Sequence, residues 1–225
     1  MSGRGRADGP LRRLSRARAG DAGVTLVELL VTMVLLGMLG GIVGTTFVGA
    51  MSALQRSTAR QQNTALAQTG MENLTKTIRA GSLIQRPGAV SATPAFAEAT
   101  STTLEVHAFL GTRPTRVRYF VDAQGRLSET RTPADASSAA PYWTFTGTST
   151  TRVVVTRVVN SSTQPLFRYY DGTGALVAGT ALDETQRRGV RSVAVSLVVQ
   201  GDAAATVRPA EVQQQVQVPN LGAVG

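Results

Sequence analysis

A single acidic residue lies near the start of a long apolar segment. Glu28 is the only charged residue between Asp21 and Arg56, and the 26 residues from Leu29 to Leu54 carry no charge. Because a bilayer core takes about 20 residues of helix, this segment predicts either a membrane span or a helix covered by protein on every side. An acidic side chain costs about 2.5–3.5 kcal/mol at mid-bilayer and less near the edge. Glu28 therefore requires a partner.

The charges that flank the apolar segment predict its orientation. Only Arg56 and Arg60 follow it closely, whereas six arginines precede it: Arg4, Arg6, Arg12, Arg13, Arg16 and Arg18. The positive-inside rule then places the N-terminus in the cytoplasm and the chain after about Leu54 outside. The chain has no cysteine, so an exported domain must be stable without disulfide bonds.

The helical pattern continues beyond the apolar segment. Ala67, Met71, Leu74 and Ile78 follow one another at helical spacing, which predicts an amphipathic stripe that packs on a domain. Gly81, followed by Pro87 and Gly88, predicts the end of the helix. We therefore expect one helix from about Val24 to Ala80.

The period changes after Pro87 to the alternation that is typical of strands. The segment Thr103–Phe109 alternates, and Arg116–Val121 leads through a turn at Asp122 to Gly125 into a return strand, Arg126–Arg131. Further strands are expected at 152–159, 166–170, 190–199 and 211–218, with a turn at 171–174 and a small-residue loop at 134–140. The predicted fold class is α+β, with a long N-terminal helix that extends into a C-terminal antiparallel sheet domain.

The sequence offers little for catalysis, and it predicts neither an enzyme nor a cofactor. His107 is the only histidine, and without cysteine it cannot complete a zinc site. Asp171 to Gly174, with Asp183 and Glu184, has the composition of a calcium loop but lacks the spacing of an EF-hand. A hairpin turn is the favoured interpretation of that loop.

Five arginines fall on the predicted hairpin, interleaved with Tyr119 and Phe120: Arg113, Arg116, Arg118, Arg126 and Arg131. Such a face could contact DNA phosphates, with Arg113, Arg116, Arg118 and Arg126 as candidates. A solvated hairpin whose charge discourages strand pairing is the favoured alternative. The aromatic cluster from Tyr142 to Phe145 favours core packing over partner docking.

The segment Gly23-Val24-Thr25-Leu26-Val27-Glu28-Leu29-Leu30 resembles the processing motif of class A type IV prepilins and type II secretion pseudopilins. The resemblance implies that an aspartyl prepilin peptidase cuts between Gly23 and Val24 and methylates the new amino group of Val24. The chain departs from the family pattern at Val24, where the family usually has Phe or Met. Glu28 becomes the fifth residue of the mature chain. There it would align an incoming subunit with the amine of its neighbour, and opposite charges in a low dielectric offset each other's cost.

The resemblance also implies the pilin architecture and four parts of the chain: a basic leader (1–23), a transmembrane half-helix (24–54), an amphipathic half-helix (55–85) and a β-rich globular domain (86–225). Segments at 165–172, 74–79 and 216–221 are similar to those of minor pseudopilins of the J type. The implied partners are the prepilin peptidase, other pilin or pseudopilin subunits and an inner-membrane assembly platform.

The implied function is a minor subunit, near the tip, of a filament used for secretion, pilus assembly or DNA uptake. It would be held in the inner membrane before assembly. Two alternatives stay open. One is a DNA-uptake minor pilin that binds DNA through the arginine hairpin. The other is a plain signal-anchored surface protein, uncleaved or cleaved after Ala50.

Overall fold

The structure is a computed structural model that describes residues 23–201 and 208–221. The chain divides into two units, with the boundary between Met51 and Ser52. One helix, α1, runs from Leu26 to Arg79 and contributes residues to both units. The predicted helix, Val24 to Ala80, is confirmed to within two residues at each end.

In the first unit, every described residue from Gly23 to Met51 is exposed. These residues include a large set of apolar side chains that no other part of this unit covers, among them Leu30, Leu35 and Ile42. The large hydrophobic residues in this stretch are 47–80% exposed. In a water-soluble domain, single surface residues reach such exposure, but a whole helix of hydrophobic residues does not.

The second unit contains two antiparallel sheets and the C-terminal part of α1. The first sheet has the strand order β1-β2-β3-β4-β5, and the second has the order β6-β7-β8. The strands of the first sheet are β1 (Phe96–Ala99), β2 (Thr103–Phe109), β3 (Pro114–Val121), β4 (Leu127–Pro133) and β5 (Thr150–Val155). The second sheet comprises β6 (Phe167–Tyr170), β7 (Ser192–Val199) and β8 (Ala210–Gln217), and the short helix α2 (Glu184–Gly189) and a 3₁₀ turn (Pro219–Leu221) complete the unit. The α+β fold class is confirmed, with the layout of a pilin.

The predicted stripe on α1 forms one side of the main core. Ala67, Met71, Leu74 and Ile78 are at most 2% exposed, and they belong to a single buried cluster with side chains from both sheets. Full burial of an aliphatic side chain stabilises a fold by about 1.5–3 kcal/mol. The stripe is therefore the main reason that the C-terminal part of α1 is held by the β strands.

The strand predictions are confirmed where the alternation is clear. The strand β2 has the predicted bounds, and the predicted hairpin forms from β3 and β4, with Val121 opposite Leu127. The predicted strand at 152–159 is wrong at both ends, because β5 begins at Thr150 and ends at Val155. Arg157 has a φ of 59°, in the left-handed region that a strand does not tolerate. Val158 instead forms an isolated bridge with Val199 of the second sheet.

Three short elements were not predicted: β1, α2 and the 3₁₀ turn. The strand β1 has only four residues, and α2 has six. The helix α2 begins with a capping box, in which the Asp183 carboxylate accepts from the Gln186 backbone N–H at 2.8 Å and the Gln186 side chain accepts from the Asp183 N–H at 2.9 Å. Asp183, one of the residues considered for a calcium loop, is thus the N-cap of a helix.

Gly70 weakens the helix beside the stripe, and the close packing around it explains why a glycine is needed there. A Cβ added there would lie 2.3 Å from Val155 Cγ2 and 3.1 Å from Leu197 Cδ2. Val155 of the first sheet therefore lies closer to α1 than any side chain at this position allows, and Leu197 of the second sheet would have to move by a few tenths of an ångström.

We expect Gly70→Ala to lower the free energy of unfolding by about 1–3 kcal/mol, because the extra methyl overpacks the core against Val155, whose branched side chain has little rotamer freedom. The matched control is Gly189→Ala, where an added Cβ meets nothing within 4 Å. Thermal unfolding of the full chain in detergent measures both. Unchanged stability of the Gly70 variant would contradict this close approach.

Candidate functional site

The helix α1 begins immediately after Thr25. The Thr25 carbonyl accepts the first helical hydrogen bond, from Leu29 N at 3.1 Å, and its side-chain oxygen accepts from Glu28 N at 3.3 Å. Both contacts define Thr25 as the N-cap residue. Gly23 and Val24 precede the helix and are exposed. The Gly23–Val24 peptide bond therefore lies in non-helical, exposed backbone, which is the kind of segment that proteases cut.

Glu28 occupies the first turn of α1, three residues after the cap, and is exposed. A carboxylate there is favoured by the helix dipole, which leaves partial positive charge at the N-terminus. Within residues 23–201 and 208–221, Glu28 forms no ion pair. The position is thus suited to a negative charge.

The threonine hydroxyls in the apolar half of α1 are hydrogen-bonded by the helix itself. The hydroxyl of Thr32 donates to Leu29 O at 2.8 Å, and that of Thr46 donates to Val43 O at 2.8 Å. Hydroxyls bonded back to the preceding turn need no water, which suits hydrocarbon surroundings, where every polar group must be satisfied internally. In the described part of the chain, α1 is the one helix long and apolar enough to cross a membrane.

The comparison with protein families agrees with these features. Residues 18–44 match the family model described as the prokaryotic N-terminal methylation motif. No curated protein matches the chain. The matched motif supports a type IV pilin-like or pseudopilin subunit, which is a structural protein and not an enzyme. It also implies processing by a prepilin peptidase and assembly with other pilin subunits, and together with the apolar helix it fits anchoring in the inner membrane.

The four arginines considered for DNA contact lie on or beside the hairpin, and three of them have hydrogen-bonded partners. Arg118 Nε lies 3.1 Å from Glu98 Oε2, and Arg126 Nε lies 2.7 Å from Asp122 Oδ2. Arg113 donates to the carbonyls of Asp135 and Ser138. Arg116 has a looser pairing, with its Nε 3.6 Å from Glu105 Oε1. DNA contact stays a prediction, but these pairings leave less free positive charge than the sequence suggested.

A buried carboxylate on β4 of the first sheet was not predicted. Glu129 on β4 is fully buried, and it accepts hydrogen bonds from Arg131 at 2.8 Å, from Arg152 and from the Tyr119 hydroxyl at 2.7 Å. Burial alone would raise the pKa of Glu129, but these three donors outweigh it, and the pKa lies below its ordinary value. The Tyr119 hydroxyl also lies 2.8 Å from Thr77 Oγ1, so this cluster joins the sheet to α1.

The turn at Asp171 takes the form that the favoured interpretation requires. Asp171 Oδ1 accepts from Thr173 N at 2.8 Å and from Ala175 N at 3.0 Å, and the Asp171 N–H donates to Ala175 O. These bonds are those of a turn closed by an aspartate side chain. The hairpin turn is thus confirmed, and Oδ1 of Asp171 is used within it.

His107 on β2 is completely buried. Its Nδ1 lies 3.3 Å from Pro94 O, and its ring packs 5.4 Å from the Phe145 ring. Nε2 has no hydrogen-bond partner among the described residues. Burial lowers the pKa of His107 to about 4, a shift that the contact with Pro94 O only partly opposes. His107 is therefore a neutral core residue.

The burial of His107 predicts a pH-dependent stability. The folded-state pKa of about 4 is lower than the ordinary 6.5, so the unfolded chain binds a proton first as the pH falls. The stabilisation is complete above pH 6.5 and is lost progressively from there towards pH 4. We expect the free energy of unfolding to fall by about 2 kcal/mol between pH 7 and pH 5.

The control for this effect is His107→Phe, which removes the only histidine. Chemical unfolding of both chains, followed by the fluorescence of Trp143 at several pH values, gives the two slopes. The variant should lose far less stability over the same interval. Equal slopes would show that another group causes the pH dependence.

Proposed function

We propose that this chain is a minor pilin-like or pseudopilin subunit that is made as a prepilin and assembled into a filament of the type II secretion or type IV pilus class. The observation that carries the proposal is the exposed Gly23–Val24 bond directly before a capped, apolar helix with a carboxylate in its first turn. The match of residues 18–44 to the methylation motif supports the same assignment.

The processing step would act on Gly23 and Val24. A prepilin peptidase cuts the bond between them on the cytoplasmic side and methylates the amino group of Val24. Cleavage removes residues 1–23 together with six of the arginines. The mature chain then begins one residue before the Thr25 cap, with a new positive charge at the end of the helix.

Glu28 would be the assembly residue. An ammonium at a helix N-terminus opposes the dipole, and a carboxylate in an apolar layer is costly when it is alone. Both costs fall when Glu28 of this subunit meets the methylated amine of a neighbouring subunit. The basic leader supports a cytoplasmic N-terminus, with the domain after residue 54 outside.

The position near the tip and the J type are the finer parts of the proposal. They rest on the resemblance of segments 74–79, 165–172 and 216–221 to minor pseudopilins of that type. In the structure these segments lie at the end of α1, in β6 with its flanking residues, and in the end of β8 with the 3₁₀ turn that follows. The partners would be the other subunits of the filament and an inner-membrane assembly platform.

The native N-terminus tests the class of protein directly. Mass spectrometry of the chain purified from membranes should find a product that begins at N-methylated Val24. The same preparation from cells that lack prepilin peptidase activity is the matched control and should contain only chains that retain the leader.

A signal-anchored surface protein gives a different result in that experiment. Chains that begin at Met1, or that are cleaved after Ala50, in cells with an active peptidase would contradict the proposal.

A further inference from the structure

A groove of about 300 Å³ lies on the second unit. Its lining combines two arginines with aromatic and small polar residues: Arg86, Pro87, Arg116, Trp143, Phe145 and Thr146. We call it the Arg86–Arg116 groove. Arg86 and Pro87 come from the segment after α1, Arg116 comes from the central strand β3, and the rest of the wall comes from the loop between β4 and β5.

The aromatic wall of the groove is a small core of its own. Trp143 and Phe145 pack with Ile84 and Ala134 in a buried cluster separate from the main core. The backbone N–H of Trp143 donates to the backbone carbonyl of Gln85 at 2.9 Å, which joins the wall to the residue before Arg86. The main chain around Arg86 and the loop that carries Trp143 are therefore held together.

The far end of the wall is held by Asp135. Its Oδ1 accepts from the backbone N–H groups of Thr146 and Gly147, each at 2.9 Å, and its Oδ2 accepts from the Thr146 hydroxyl at 2.8 Å. A hydrogen bond with Thr144, followed by the bond with Thr146, lowers the pKa of Asp135 to about 2. A loop tied at both ends gives the groove a fixed shape, which lowers the entropic cost of binding.

The two arginines of the groove keep most of their hydrogen-bonding capacity. Among the described residues, the Arg86 side chain has no hydrogen bond or ion pair, and it is exposed. Arg116 lies over the Phe145 ring, 5.9 Å from its centroid, and its 3.6 Å contact with Glu105 is too long for a hydrogen bond. Arg118 and Arg126, by contrast, are hydrogen-bonded to carboxylates. The groove therefore presents two guanidinium groups that lack the bidentate partners their geometry favours.

The chemistry of the groove favours carboxylates over nucleic-acid bases. Trp143 is 8% exposed and Phe145 is 9% exposed, so neither ring offers a free face for a base to stack on. Guanidinium groups pair with carboxylates through two parallel hydrogen bonds. Without residues 1–23 the chain still has 17 basic and 12 acidic side chains, a formal charge of +5 that attracts an acidic partner. We propose that the Arg86–Arg116 groove binds an acidic segment of a partner protein through the guanidinium groups of Arg86 and Arg116. This interaction does not depend on cleavage at Gly23.

The only tryptophan of the chain makes this proposal testable at the site itself. Trp143 lines the groove, so its emission reports binding there. The full chain in neutral detergent micelles is titrated with the peptide acetyl-Gly-Glu-Asp-Glu-Gly-amide at low ionic strength. We expect a saturable change in Trp143 emission that weakens as sodium chloride is added. The matched peptide, with Gln and Asn in place of the acids, should cause no change.

Three variants locate the binding. Arg86→Gln and Arg116→Gln should each weaken it at least fivefold, and Arg116→Lys, which keeps the charge but loses the bidentate geometry, should weaken it less than Arg116→Gln. The control is Arg168→Gln, on β6 of the other sheet, which should bind as the parent chain does. Far-ultraviolet circular dichroism checks that each variant is folded.

The proposal fails if the acidic peptide leaves the Trp143 emission unchanged, or if Arg168→Gln weakens binding as much as the groove variants do. A short single-stranded oligonucleotide is titrated in parallel. Tighter binding of the oligonucleotide than of the peptide, lost in the same groove variants, would overturn the choice of an acidic protein segment. None of these results alters the prediction for the N-terminus at Val24, so the two proposals fail separately.

Discussion

The main constraint on this protein is an apolar helix surface that nothing else in the first unit covers. Residues 29–54 carry no charge, and every described residue as far as Met51 is exposed. Such a surface is stable only in lipid or against other apolar helices. The one charge at its beginning, Glu28, lies at the position where a helix dipole favours an acid. This surface fits anchoring in the inner membrane, which the methylation motif and the apolar helix support.

The second unit is stabilised by its own buried core. There α1 presents a narrow apolar stripe, and the close approach at Gly70 brings Val155 and Leu197 from the two sheets against it. The Tyr119–Glu129 cluster adds specificity, because the Tyr119 hydroxyl meets both Glu129 and Thr77 of α1. A buried carboxylate is tolerated because two guanidinium groups and a hydroxyl satisfy it. The helix is apolar on all sides up to about residue 52 and has a single apolar stripe after it. The first part thus suits an apolar environment, and the second part suits packing on the β sheets.

Features coded by local periodicity could be predicted from the sequence. The stripe from Ala67 to Ile78 and the strand Thr103–Phe109 follow from spacing alone, and the Gly-Val-Thr-Leu-Val-Glu segment indicated the same N-terminal motif that the family comparison matches. Elements too short to show a period, such as β1, were missed. The helix α2 was missed although the Asp183 and Gln186 pair of its capping box is a readable signal.

Features that depend on distant contacts could not be predicted. Glu129 occupies an alternating strand, where a carboxylate normally faces solvent, and its burial depends on Arg152 from another strand and on Tyr119. Likewise, Arg113, Arg116, Arg118 and Arg126 look like one basic face in the sequence. The structure places each beside a different acceptor, and Arg116 lines a groove together with Arg86, from a distant part of the chain.

The central claim is that Glu28 is tolerated because a neighbouring subunit supplies a positive charge. The most direct measurement is the fraction of Glu28→Ala protein in purified filaments, relative to its level in the membrane. The matched control is Glu72→Ala, which removes an exposed acid from the same helix in the second unit. The account predicts that the Glu28 variant accumulates in the membrane but is absent from filaments, whereas the Glu72 variant is incorporated normally. Normal incorporation of the Glu28 variant would contradict it.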